Sequence, residues 1–188
     1  MYKNFARNLS QSFLVLIIFH CSFTPMALSR RKTRPYLLQA LYSRSLIGPE
    51  FAEKSFLANF FDTEASSILD MAYFEAMFTG IIAKEGELLA ITHRYAPKFD
   101  LTTMPISNLL PIMIAAYEML YLTLDTIPEK VSINEAIELA KTFSDDSART
   151  MVNGVLNALK NEKTTILEAI KKDATPPHFF ISSFPPHE

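Results

Sequence analysis

Four cations fall within five residues: Arg30, Arg31, Lys32 and Arg34. Such a cluster can neutralise several phosphates and release their counterions, the sequence-independent part of nucleic-acid binding. Tyr36, Gln39 and Tyr42 follow. Aromatic rings stack on unstacked RNA bases, and amides pair with base edges. The plain alternative is a solvated helix N-terminus. The helix dipole weakens that alternative, because cations at its positive end are unfavourable and something else must hold them there.

Catalytic chemistry has no comparable support. His20, His93, His178 and His187 are scattered, without metal-ligand spacing. Ser29-Arg-Arg-Lys32 matches S-x-x-K but lacks the partner motifs of such a nucleophile. Glu135 and Glu138 stand one helical turn apart, as paired carboxylates would. A capping role accounts for Glu135 and a solvated face for Glu138. Cys21 is the single cysteine, so a disulfide framework and a cysteine zinc site are excluded. The expectation is no catalytic residue, no metal and no cofactor, hence no enzyme.

The elements that must position the basic cluster read as helices. The 188 residues suit one domain, or two small ones sharing a core, and a hydrophobic fraction of 49% is enough to bury one. Four glycines are too few for a dinucleotide-binding loop, a P-loop or a hairpin-rich β fold. The formal net charge of −2 means that any nucleic-acid affinity comes from a local cluster. Leu38, Leu41, Tyr42 and Ser45 fall at i, i+3, i+4, i+7, and so do Phe74, Met77, Phe78 and Ile81. Ile133, Ala136, Ile137 and Ala140 repeat the spacing, as do Val152, Val155, Leu156 and Leu159. This lines one face of an α-helix, and no segment sustains a period of two.

Punctuation sets the boundaries. Ser132-Ile-Asn-Glu135 matches a capping box, with Val131 and Ala136 as its hydrophobic staple. Asp145-Asp146-Ser147 offers an N-cap to the last helix, and Gly48-Pro49 ends the first. Pro35 would clash with the Arg31 carbonyl in a running helix, so the first helix is expected near Thr33, leaving residues 30–32 as an arm. Pro111 is tolerable if Asn108 is the N-cap, which puts it in the first turn; otherwise it kinks the helix. The expected helices are 33–46, 52–60, 66–84, 87–94, 108–124, 132–143 and 147–172.

The two ends differ from this body. Residues 1–28 form a leader, with Lys3 and Arg7 ahead of an apolar run, the layout of a secretory signal. Met26 directly precedes the globular pattern and reads as the true start, with 1–25 an over-called extension; a tail or anchor and a cleaved signal are the alternatives. Residues 173–188 carry four prolines and read as an irregular tail.

Arg30-Arg-Lys-Thr-Arg-Pro-Tyr-Leu-Leu-Gln-Ala-Leu-Tyr-Ser43 resembles the opening of the NusB family of bacterial transcription antitermination factors. Tyr73-Phe-Glu-Ala-Met-Phe-Thr-Gly-Ile81, Ala115-Ala-Tyr-Glu-Met119, Ile127 to Phe143 and Met151-Val-Asn-Gly-Val-Leu156 resemble it in the same order. The resemblance covers about residues 29 to 160, and Asn134-Glu-Ala-Ile-Glu-Leu-Ala-Lys141 followed by Val-Asn-Gly-Val-Leu is its most specific part. It implies an all-α, NusB-like fold of about seven helices in two packed bundles, spanning 29–172. It implies a cytoplasmic, non-catalytic factor, monomer or homodimer, that binds boxA RNA of ribosomal transcripts. The implied partners are NusE, a ribosomal small-subunit protein, and the RNA polymerase antitermination complex, with no membrane.

Carried over by position, Arg30, Arg31, Lys32 and Arg34 match the family's basic arm. Gln39 and Tyr42 match the first-helix surface near RNA and partner. Asp145, Asp146, Ser147 and Arg149 match a second RNA-facing turn. Tyr42, Tyr73, Phe74 and Glu75 are the candidates for the partner surface. The chain departs from the family at Met113, where an Arg is usual, at Pro111, where an ordinary helix runs, at Ser144, where a Gly is usual, and at Met151, where a Phe is usual. The acidic-Ser step ahead of Val-Asn-Gly is slipped by one residue. A helical protein–protein interaction domain that has lost RNA binding is therefore the second reading. A third is the RNA-recognition domain of a ribosomal RNA methyltransferase, for which the chain leaves no room for a catalytic domain.

Overall fold

The first helix, α1 (Arg30–Ile47), begins three residues earlier than the proline rule predicts. Ser29 caps it: its Oγ accepts the Lys32 N–H at 3.3 Å and its carbonyl accepts the Thr33 N–H at 2.9 Å. The basic residues therefore form the first turn of a helix and not an arm. Pro35 lies inside that helix and has no N–H for the Arg31 carbonyl, a placement that costs about 3 kcal/mol or more. Long-range anchors offset this cost. The Ser29 N–H donates to the Ile68 carbonyl at 3.1 Å, and the Asp70 N–H donates to Thr33 Oγ1 at 2.9 Å. Gly48 ends α1 as expected, at φ 70°, and opens a 3-10 turn, Gly48–Glu50.

The computed structural model describes residues 29–61, 68–123 and 127–172. The leader, the Met26 start and the tail lie outside these residues. The remaining helices are α2 (Glu53–Phe60), α3 (Met71–Ala83), α4 (Glu85–Tyr95), α5 (Ile106–Leu120), α6 (Glu129–Phe143), α7 (Asp146–Asn161) and α8 (Lys163–Lys172). The fold is all-α, with no strand among the described residues. The eighth helix arises because the expected helix 147–172 breaks at Glu162. The Glu162 N–H is shared between the Ala158 and Leu159 carbonyls at 3.2 Å, and the chain restarts one residue later.

Helix α5 is the centre. It packs against α1, α3, α4, α6 and α7, and every residue from Asn108 to Ala116 is buried. One apolar core runs through the described helices, and the four stripes read from the sequence face into it except at Tyr42, which is exposed; Phe74, Met77, Phe78 and Ile81 are wholly buried. Tyr36 packs on Phe60 and Phe61, with ring centroids 6.1 and 5.9 Å apart, so its ring is engaged inside the fold.

Two local readings are corrected. Ser132 is not an N-cap: α6 starts one turn earlier, behind Pro128, and Ser132 lies buried in the helix. Pro128 has φ −58°, ready for helix entry, and its carbonyl takes the Val131 N–H at 2.8 Å. Val131 is exposed, so the staple is absent too. Asn108 is not an N-cap either. Pro105 holds that position for α5, which puts Pro111 well inside the helix. The Ser107 carbonyl that Pro111 leaves without its helical donor accepts the Ser144 hydroxyl at 2.7 Å.

Candidate nucleic-acid interface

The first turn of α1 carries all four cations, and three of them meet a carboxylate. Arg30 Nε donates to Asp70 Oδ2 at 3.1 Å. Asp70 is also the N-cap of α3, accepting the Tyr73 N–H at 3.0 Å, so this pair joins the starts of two helices. Arg34 is buried, and its Nε donates to Glu118 Oε1 on α5 at 2.7 Å. The Tyr73 hydroxyl donates to the same oxygen. The Arg30 and Arg34 guanidinium groups both lie near the Tyr73 ring, 5.4 and 5.6 Å from its centre. Arg31 Nε and Arg34 Nη1 each lie 3.7 Å from an oxygen of Glu135 on α6.

Burial and charge act against each other here. Burial disfavours the Arg34 charge, and the Tyr73 hydroxyl, Glu118 and Glu135 outweigh it, so its pKa stands above the ordinary value. Burial first, and then Glu118, push the Tyr73 hydroxyl well up, so it stays a donor at neutral pH. The carboxylates answer the question that the helix dipole raised: Asp70, Glu118 and Glu135 hold cations at a helix N-terminus where the dipole alone would repel them.

The four cations thus separate into two kinds. Arg34 is enclosed and Arg30 is half-buried. Arg31 is 78% exposed along its side chain, and Lys32 is exposed with no acidic partner among the described residues. The outward face of α1 continues from them through Gln39 to Tyr42, both exposed, and on to Leu46 and Ile47. Helical geometry puts Arg31, Lys32, Gln39, Tyr42 and Leu46 on one side.

The second expected region begins at α7. Asp145 caps that helix as the sequence predicts, accepting the Ala148 N–H at 2.8 Å and the Ser147 hydroxyl at 2.6 Å. The Ser147 hydroxyl first, and the Ala148 N–H next, hold its carboxyl below the usual range. Asp146 and Ser147 are exposed, and Arg149 pairs with Asp146 one turn back. Glu138 on α6 links the two regions. The hydrogen bond from Lys141 chiefly lowers its pKa, and both Arg31 and Arg149 lower it further. Arg31 at the start of α1 and Arg149 at the start of α7 thus both act on this one α6 carboxylate.

The partner candidates divide. Tyr42 and Glu75 are exposed. Tyr73 and Phe74 are wholly buried and cannot meet a partner as the chain stands: Tyr73 serves the Glu118 network, and Phe74 stacks on Phe78 at 5.7 Å. The sequence held signals for these placements. Arg34, Leu37, Leu38 and Leu41 fall at i, i+3, i+4, i+7, which puts Arg34 on the core stripe. Tyr73 precedes Met77 by one turn on the buried face of α3. Glu118, which sequence reasoning did not single out, is the one charged residue of α5 and so the natural counter-ion for a buried cation. Among the described residues no group of three His, Cys, Asp or Glu can hold a metal ion, and no helix is long and apolar enough to cross a membrane.

Comparison with known proteins bears on the whole of this arrangement. A NusB family model matches residues 31–161. The chain is 36% identical over 136 residues to the transcription antitermination protein NusB of Shewanella oneidensis, covering 71% of this chain and 96% of that protein. The NusB of Shewanella baltica is 35% identical over the same length and coverage. Among solved structures, T. maritima NusB superposes with a TM-score of 0.63 at 25% identity, covering 76% of this chain and 99% of that one.

Proposed function

The chain belongs to the NusB family of transcription antitermination proteins, and from that premise we propose that it binds boxA-type RNA of ribosomal transcripts in the cytoplasm, together with NusE, as a non-catalytic part of the RNA polymerase antitermination complex. The observation that carries this reading is the outward face of α1. Arg31 and Lys32 stand exposed at its start, and Gln39 and Tyr42 follow on the same side. Cations position a phosphate backbone, and an amide and a ring next to them suit unstacked bases. Ser147 and Arg149 at the start of α7 extend the face beside Glu138 of α6, with Asp146 holding Arg149. Arg30 and Arg34 act behind the surface, fixing the first turn of α1 against α3 and α5.

Tyr42 and Glu75 are the residues assigned to the partner. Tyr42 combines an apolar ring with a polar tip, the profile favoured at interfaces. Its neighbours Leu46 and Ile47 are exposed large apolar residues on the same helix.

One observation favours the second reading, an interaction domain without RNA. Three carboxylates meet three of the four cations of α1, so the local excess of positive charge is small. Titration of labelled boxA-type RNA into the full chain across a salt series, with and without NusE, separates the two. RNA binding that weakens with salt and tightens with NusE supports antitermination. Binding of NusE with no RNA affinity at any salt supports the interaction domain.

A further inference from the structure

Glu135 presents its two oxygens to two different arginines. Oε2 lies 3.7 Å from Arg34 Nη1, and Oε1 lies 3.7 Å from Arg31 Nε. The contacts are unequal in kind. Arg34 is buried and already holds Glu118 at 2.7 Å, so Glu135 is its second carboxylate. Arg31 extends into solvent, and Glu135 is the carboxylate within ion-pair distance of it among the described residues. Glu138, one turn on and exposed, feels Arg31 as well. Capping does not explain Glu135, because α6 starts at Glu129. Nor does anchoring of α6 require it, since Ile133, Ala136, Leu139 and Ala140 bury the inner face of that helix.

An exposed guanidinium beside a fixed carboxylate is in competition. A phosphate approaching Arg31 meets an attractive cation and, next to it, a repulsive anion that already partly satisfies that cation. We propose that Glu135 is an internal competitor for RNA phosphate: it occupies Arg31 in the free protein and lowers the phosphate affinity of that residue, with Glu138 adding to the same field. The inference rests on the RNA-binding reading above. It makes α6 part of the binding face, and it leaves Lys32 as the cation of the first turn that meets phosphate without an acidic rival.

The test uses the full chain with Glu135→Gln, Glu138→Gln and, as a control, Glu168→Gln on the exposed surface of α8. Binding is measured across a salt series with labelled single-stranded boxA-type RNA and with a scrambled strand of equal length. Glu135→Gln is expected to tighten binding by about two- to fivefold at low salt, the range of a lost exposed ion pair. The plot of log affinity against log salt is expected to steepen by up to about 0.7, one phosphate contact on a single strand. The gain should be equal on both strands, because phosphate carries no sequence. It should vanish when Arg31→Ala is added. Glu138→Gln should give a smaller gain that also depends on Arg31, and Glu168→Gln none. Circular dichroism and urea unfolding confirm that each variant is folded.

Unchanged or weaker binding by folded Glu135→Gln, or a gain that survives Arg31→Ala, overturns the inference while leaving the RNA-binding reading intact. If Glu135→Gln does not fold, absence of a gain in Glu138→Gln overturns it. No binding of either strand by the unaltered chain at any salt, alone or with NusE, overturns both.

Discussion

The Ser144 hydroxyl donates to the Ser107 carbonyl at 2.7 Å, the carbonyl four residues before Pro111. A proline inside a helix strips that carbonyl of its N–H donor, and Ser144, just past the end of α6, supplies a replacement across the α5–α6 packing. Pro111 and Ser144 thus answer one another. Ser144→Gly should cost about 1 kcal/mol, the net worth of one hydrogen bond. In a Pro111→Ala background the cost should be smaller, because the alanine brings a backbone N–H that reaches the Ser107 carbonyl. Urea unfolding of the four proteins of this cycle measures the coupling, and strict additivity would show that the two residues are independent.

The buried pair Arg34–Glu118 behaves differently from the surface cations. Arg34→Ala leaves the Glu118 carboxylate enclosed without its main partner, and the expected loss is about 3–5 kcal/mol. Replacing both members, Arg34→Met with Glu118→Leu, should lose less than the single change, since no charge then remains buried. Chemical unfolding of the two variants checks the order. A double variant weaker than Arg34→Ala would show that the ion pair itself, and not the avoided orphan charge, carries the stability.

Tyr73 gives the network a pH signature. Its hydroxyl pKa is raised, chiefly by burial, above the ordinary value near 10 that the unfolded chain has. Above that pH the unfolded state loses the proton and the folded state keeps it, so the folded state binds more protons and stability falls as pH rises. For one tyrosine the slope approaches about 1.4 kcal/mol per pH unit. Below pH 10 the contribution is fully present. Tyr73→Phe should be less stable at pH 7, because Glu118 loses the hydrogen bond from the Tyr73 hydroxyl, and for the linkage reason it should lose stability less steeply above pH 10. Parallel unfolding curves for the two proteins between pH 9 and 11 would contradict this account.

Two glycines of the helices make opposite predictions. Gly80 on α3 lies under the Tyr117 ring of α5, and an added Cβ would overlap the ring. Gly80→Ala should destabilise by about 1–3 kcal/mol through overpacking. Gly154 on α7 has open space where its Cβ would stand. Gly154→Ala should stabilise by about 0.5–1 kcal/mol, because alanine loses less backbone entropy in a helix. Thermal melts of both variants test the pair together.

What the sequence made legible follows the range of the forces involved. The stripe Phe74, Met77, Phe78, Ile81 and the cap Asp145 depend on neighbours within a turn, and both stand where the pattern puts them. The start of α1 does not. Pro35 argues locally for a later start, and the anchors that overrule it, Ile68, Asp70 and Glu118, lie more than thirty residues away in the chain. The capping box at Ser132 is a true local match that loses to Pro128, one turn earlier. For the candidate interface, residue type alone treated four cations alike, whereas the rotation of α1 on its leucine stripe buries Arg34 and exposes Arg31.

That division among the cations yields the sharpest test of the interface. Lys32→Ala removes an exposed charge without an acidic rival and should reduce the salt dependence of RNA binding by about 0.7 in log–log slope, whereas Arg31→Ala, whose charge Glu135 partly satisfies, should reduce it by less, each with little change in stability. Gln39→Ala removes an amide that would reach base edges. It should weaken boxA-type RNA more than a scrambled strand and leave the slope unchanged. Arg30→Ala breaks the tie to Asp70 at the start of α3, so it should lower stability as well as affinity. The pattern matters more than any single value. If Arg31→Ala and Lys32→Ala leave both slope and affinity unchanged while Arg149→Ala at the start of α7 reduces them, the RNA backbone follows α7 and not the first turn of α1.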